Sequence, residues 1–201
     1  VGEYHSIAIL NKSINMKKKH MLVTILIAAV VLILLNFVVE RELHFEEEVL
    51  IEKNIDEVWG VLGDQFSEAH IWATNFKSSE PGGEPKLSGL DYLHRETMTE
   101  NGENFQELDK FDPANYSLSY HVSKGVPGIA KSAIGEWSLH KITDNQTRMN
   151  VHFILKTKGL KGFILSPIIS KKIGLASAEI VEELKYYMEN GKPHPRKLAA
   201  Q

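Results

Sequence analysis

The sequence predicts an α+β domain, a curved antiparallel sheet packed on a long C-terminal helix, carried behind one apolar helix. Three observations predict it. Residues 21–39 carry no charge over nineteen positions. Between residues 43 and 157, short runs of alternating apolar and polar residues are separated by turn sequences, the period-two signature of half-buried strands. After residue 159 the period changes, with Ile173, Ala176, Ile180, Leu184 and Tyr187 recurring at three- and four-residue steps, which puts one apolar stripe on a helix. A run of strands closed by a long helix is the element order of an α+β domain.

Residues 1–15 read as an upstream extension, because Met16-Lys-Lys-Lys-His followed by an apolar run is how an anchored chain ordinarily begins; with the basic flank the segment covers residues 1–20. At about 1.5 Å per residue, 21–39 makes roughly 28 Å of helix, close to the roughly 30 Å of hydrocarbon in a bilayer. A cleaved secretory signal shares the basic flank. Its apolar part is shorter, about 7–15 residues, and ends in a small-x-small site, whereas the exit here is Val38-Val39-Glu40-Arg41-Glu42. The reading is a retained transmembrane anchor. Lys17 to Lys19 before it, and Glu40, Glu42 and Glu46 to Glu48 after it, orient a single-pass protein with its N-terminus in the cytoplasm and its domain on the extracytoplasmic side.

The domain covers residues 43–191. Residues 43–52 are β-like and lead at once into a helix capped by Asn54 or Asp56, with Val58, Trp59 and Leu62 as its apolar face. A second helical piece is predicted over 67–72, and Glu80-Pro-Gly-Gly-Glu-Pro reads as a loop. Strands 92–99 and 104–111 flank the turn Glu100-Asn-Gly-Glu103. Strand 116–123 puts Tyr116, Leu118, Tyr120 and Val122 on one face. Strands 133–142 and 148–157 follow, the last with Met149, Val151, Phe153 and Leu155 together. The helix ends at Asn190-Gly191, and 192–201 reads as a polar tail. The apolar segment 160–169 contains Pro167 between glycines, which predicts a mobile piece rather than one helix running through it.

Composition narrows the chemistry. About 160 residues remain after the anchor, enough for one domain with a real core. A net charge of −3 supplies no broad basic field, so nucleic acid is not an expected partner. There is no cysteine, hence no disulfide, thiolate metal site or cysteine nucleophile. None of the nine histidines forms His-x-x-x-His or His-Glu-x-x-His, and the strand histidines His94, His121, His140 and His152 are far apart in sequence; no metal is expected. No Gly-x-Ser-x-Gly elbow or phosphate-binding glycine loop is present, and no cofactor is expected.

The stretch Val49-Leu-Ile-Glu-Lys-Asn-Ile-Asp-Glu-Val-Trp-Gly-Val-Leu-Gly-Asp64 resembles the first strand and helix of the START-like, or polyketide cyclase/dehydrase-like (SRPBCC), superfamily. Trp72, Gly89 before the basic pair His94 and Arg95, Asn101-Gly102 leading to Glu107-Leu108, the 116–120 strand, Val126-Pro127 and the terminal helix follow in the order of that pattern. The resemblance covers residues 43–189. It implies a helix-grip fold, the sheet wrapped around the long helix with an apolar cavity between them. It also implies ligand contacts from Trp72, Glu107, one of His94 or Arg95, and Tyr120 and Trp137 as walls. The competing reading makes the tryptophans core residues and pairs Glu107 with a base such as Arg95. The chain departs from the pattern in having Ala73-Thr74 after Trp72 and in the apolar segment 160–169. There Phe163, Ile164, Leu165, Ile168 and Ile169 are expected to line the cavity mouth as a lid while Lys161, Lys171 and Lys172 meet lipid headgroups; the alternative is the buried first turns of the terminal helix. The function expected is membrane-tethered binding or transfer of a lipid or other hydrophobic small molecule. Two alternatives stand beside it: a cyclase or dehydratase moving protons with Glu107 or His94, and a non-catalytic structural or interaction domain.

Overall fold

The computed structural model describes the backbone of residues 2–200 and the side chains of residues 16–200. Helix α1 spans Gly2–Val38, so the upstream extension, apart from Val1, which lies outside the described residues, continues into the apolar run as helix. Within α1, Met16–Val38 is long and apolar enough to cross a membrane, with a mean hydropathy of 3.0 and none of it buried against the rest of the chain. Strand β1 (Glu40–Ile51) follows with a single residue between. Helix α2 (Ile55–Trp59) is capped by Asn54, whose side chain accepts from the backbone N–H of Asp56 at 2.8 Å. It continues through a π-helical turn, Gly60–Asp64, and a 3₁₀ helix, Phe66–Ile71.

Strands β2 (Ser78–Gly82), β3 (His94–Thr99), β4 (Gly102–Asp112), β5 (Ser117–Lys124), β6 (Ala130–Thr143) and β7 (Gln146–Lys158) then build the sheet. Its order is β1-β7-β6-β5-β4-β3-β2, every pair antiparallel. Neighbours in sequence pair as hairpins and meanders, and β1 closes on β7. Strand β2 takes in the first three residues of the stretch expected to be a loop, 80–85, and the rest of that stretch is loop. Its Pro81 is tolerated because β2 is an edge strand, where one N–H has no ladder partner to lose. Helix α3 (Gly159–Asn190) ends on Gly191, which takes the left-handed conformation (φ 65°) and donates to the Tyr187 carbonyl.

The concave face of the sheet carries Phe45, Ile51, Leu108, Leu118, Tyr120, Trp137, Leu139, Met149 and Val151, all buried. Two layers pack on it: Val58, Trp59, Leu62, Phe66 and Trp72 from the short helices, and Ile180, Val181, Leu184 and Met188 from α3. This is the curved antiparallel sheet gripping a long C-terminal helix that the sequence predicts.

Helix α3 runs unbroken through Pro167, contrary to the expectation for 160–169. The missing proline N–H orphans the carbonyl four residues back, that of Phe163. The Ser166 hydroxyl donates to that carbonyl at 2.7 Å, and Arg41 Nη1 donates to the Ser166 hydroxyl at 2.9 Å. Ser166 thus repairs α3 at its proline, and an arginine from β1 holds the serine in place.

The expected polar tail is folded as well. Helix α4 (Pro195–Ala199) docks through two cations: buried Lys197 donates to the Phe76 carbonyl at 2.8 Å, and Arg196 Nε donates to the buried carboxylate of Glu183 at 3.1 Å. Glu183 also accepts from the Thr74 N–H at 2.8 Å and the Thr74 hydroxyl at 2.6 Å. Thr74, one of the two residues that depart from the family pattern, is therefore a fastening point between α3 and the segment after Trp72.

Candidate functional site in the cleft under helix α3

Helix α3 meets the sheet along β1 and leaves a cleft of about 190 Å³ on its other side, lined by Asn75, Phe76, Gln106, Phe153, Ile173, Ala176, Ser177 and Ile180. The lining is apolar apart from Gln106 and Ser177, both buried, and Asn75, which is exposed. Gln106 projects from the concave side of β4 because it alternates in phase with Leu108, and it pairs in register with Arg95 on β3.

Arg95 is the unusual group of the interior. Its side chain is only 4% exposed. Nε donates to Gln106 Oε1 at 2.8 Å and Nη1 to the Phe66 carbonyl at 2.9 Å. The guanidinium lies 4.0 Å from the Phe66 ring centroid, 5.0 Å from Phe76 and 5.4 Å from Tyr120. Among the described residues, no carboxylate comes within ion-pairing distance of it. Burial lowers its pKa from the ordinary guanidinium value to about 10, so the group stays charged at neutral pH. The same burial pushes the Tyr120 hydroxyl upward, opposed by the nearby Arg95 charge. Tyr120 reaches this position because its partner across the ladder is Gly135, where a side chain would collide with the tyrosine ring. A second, smaller void beside Arg95, bounded by Leu62, Phe66, Trp72 and Trp137 among others, measures about 10 Å³, about the space of one water.

The sequence-derived candidates divide between the two faces of the sheet. Trp72 and Trp137 border the smaller void and Tyr120 stands against Arg95. All three are buried members of the continuous core. His94 and Glu107 face each other across β3 and β4 on the outer side of the sheet, away from the cleft. His94 stacks on Phe105 and contacts Glu96 at 3.1 Å; Glu107 pairs with Lys86 at 3.0 Å rather than with Arg95. Phe163 lies outside the cleft lining, 45% exposed on α3, with the Arg41 guanidinium 5.9 Å from its ring. Of the pair His94 and Arg95, the inward residue is Arg95. Gln106 was not among the candidates, although its phase with Leu108 carried the signal.

A larger concavity, about 650 Å³, lies on the outer face and is lined by Glu46, Glu48, Lys110, Ser119, Glu136, Asn150 and His152 among others. Its outward side chains are polar, with Leu118, Trp137 and Val151 also in the lining. Beside it His44 Nδ1 and His152 Nε2 stand 2.9 Å apart, flanked by Glu42 at 3.0 Å and Glu136 at 3.2 Å. Among the described residues no three acidic or histidine side chains converge as a metal site.

No family model and no curated protein matches this sequence. Solved structures do. A START superfamily protein from Mycobacterium smegmatis superposes with a TM-score of 0.61 at 13% identity, over 74% of this chain and 99% of that one. A norcoclaurine synthase point mutant from Thalictrum flavum, solved with a transition-state analogue, gives 0.55 at 12% identity over 73% of this chain and 96% of its own. The Zhui aromatase/cyclase from Streptomyces sp. R1128 gives 0.51 at 16% identity over 77% and 100%. The fold is START-like. At these identities the likeness extends to the fold alone.

Proposed function

We propose that this domain binds a small apolar molecule, or the apolar end of a lipid, in the cleft under α3, and that α1 holds it at a membrane with the domain on the extracytoplasmic side. The observation that carries the reading is the cleft itself: apolar walls ending on Gln106, which is fixed by a buried, still charged Arg95. Apolar walls supply nonspecific affinity and a few fixed polar groups orient the guest. Size sets the class. A volume of about 190 Å³ exceeds the roughly 150 Å³ that accommodates benzene and falls short of the roughly 300–1,000 Å³ of drug-sized sites, so the cleft suits one ring or a short acyl segment. About six buried methylenes give ~5 kcal/mol before the costs of association. Tight binding therefore requires the polar end as well, with Gln106 donating to or accepting from the guest and Arg95 favouring an anion.

A non-catalytic structural domain is the second reading, favoured by the filled interior around Trp72 and Trp137. The lining of the cleft offers a cyclase no acid or base. Native mass spectrometry of the full chain, ejected from nanodiscs equilibrated with dodecanoate, tests the proposal. A one-to-one dodecanoate adduct is expected, and Ala176→Phe, which fills the cleft, should lose it at unchanged thermal stability. No adduct on the wild type, or an equal adduct on both proteins, would favour the structural reading.

A further inference from the structure

The first half of α3 carries an exposed face that the cleft does not use. Ile164, Ile168, Lys171 and Leu175 fall at i, i+4, i+7 and i+11, one stripe of the helix, with Lys161 and Lys172 beside it. Ile164, Ile168 and Leu175 are 63%, 59% and 58% exposed. From Gly159 to Ala178 the helix has no acidic residue. The stripe begins at the anchor. The Gly159 N–H donates to the Val39 carbonyl at 2.8 Å, and the Leu160 N–H to Asn36 Oδ1 at 3.2 Å, so a side chain of α1 caps the first turn of α3. Whatever medium surrounds the end of the apolar run therefore surrounds the start of α3.

Resting on the proposal that α1 spans a bilayer, we infer that the first half of α3 is an interfacial helix, its Ile164-Ile168-Leu175 stripe laid into the headgroup layer of an anionic leaflet and its lysines on lipid phosphates. The headgroup layer adds roughly 5–7 Å on each side of the hydrocarbon. At about 1.5 Å per residue, Ile164 stands ~7 Å along α3 from the anchor junction and is at that layer for an upright helix, whereas Ile168 and Leu175, ~13 and ~24 Å along, reach it once the helix leans onto the surface. Exposed isoleucines interleaved with lysines suit that medium, since apolar burial and attraction to anionic lipid act together.

The chain has no cysteine, so single cysteines report position cleanly. The full chain is reconstituted in phosphatidylcholine/phosphatidylglycerol vesicles with an NBD label at Leu26→Cys, Ile164→Cys, Ile168→Cys or Asn101→Cys, and quenched by doxyl lipid or by aqueous iodide. The inference predicts lipid quenching at positions 26, 164 and 168 and iodide quenching at 101, with the lipid quenching at 168 at least halved by Lys171→Glu/Lys172→Glu or by omitting phosphatidylglycerol. Iodide quenching at 164 and 168 with 26 still in lipid overturns this inference alone. Loss of lipid quenching at 26 overturns the anchor as well. Protection of 164 and 168 from both quenchers identifies a second copy of the chain as the occupant and also overturns it.

Discussion

Holding Arg95 charged in the interior costs about 3 kcal/mol, from the fall of its pKa to about 10. Two hydrogen bonds from a charged donor return ~1.5–3 kcal/mol each, and ring contacts ~1–2 more. At the low end of those ranges the return exceeds the cost by only about 1 kcal/mol. With no carboxylate left behind, Arg95→Met should cost no more than ~2 kcal/mol in urea unfolding, against ~3–5 for a broken buried ion pair. A loss of 4 kcal/mol or more would make Arg95 a structural residue. The alkaline limb has a definite sign. Because the folded pKa lies below the unfolded one, the unfolded chain binds more protons above about pH 10, so wild type should gain on Arg95→Met by ~1 kcal/mol from pH 9 to 11. Glu107→Gln should change stability by less than ~0.5 kcal/mol and leave dodecanoate binding unaltered, because its carboxylate meets exposed Lys86 on the outer face. The residue scale was the least legible in the sequence. In His-Arg-Glu-Thr-Met-Thr (94–99) the one apolar residue, Met98, points outward and is 42% exposed. Alternation therefore does not reveal that Arg95 and Thr97 face the core. Only the register with Gln106, read through Leu108, does.

At the scale of elements, most strands and the main helix were legible because period and turn chemistry agree along them. The failures share a cause: long-range partners overrule local signals. Strand β2 contains Pro81 and ends at Gly82, yet edge pairing to β3 suffices. Helix α4 has five residues, too few to hold alone, and exists through Arg196 and Lys197 on distant partners. Removing Arg196 leaves buried Glu183 with Thr74 as its remaining partner, so Arg196→Met should destabilise by ~3 kcal/mol and expose residues 192–200 to hydrogen exchange. The proline repair in α3 gives a sharper test. Ser166→Ala should cost ~1–2 kcal/mol, as the Phe163 carbonyl loses its donor. Ser166→Ala/Pro167→Ala should recover about half of that, since residue 167 then donates its own N–H. Additive losses in the double-mutant cycle would show that Ser166 is not the repair.

For the molecule as a whole, the order of elements led to the sheet wrapped on a helix, and the charge-free run to α1; the coupling between them was not legible. It depends on Asn36, an isolated polar residue late in the apolar run, meeting the backbone at 159 and 160 far along the chain. Deleting residues 1–39 should leave a folded domain weakened by ~1–2 kcal/mol, with added exchange confined to the first turn of α3, because two N–H groups lose their acceptors. An unfolded product would place α1 inside the folding unit. The central claim is that the space under α3 receives an apolar guest, and photo-crosslinking tests it most directly. The full chain in nanodiscs is irradiated with a diazirine-bearing dodecanoate and the adducts are mapped by mass spectrometry. Adducts at Phe76, Ile173, Ala176 or Ile180 that vanish in Ala176→Phe and weaken in Arg95→Met are the predicted result. Adducts restricted to α1 and the exposed stripe of α3, with none in the cleft and no response to Ala176→Phe, would contradict it.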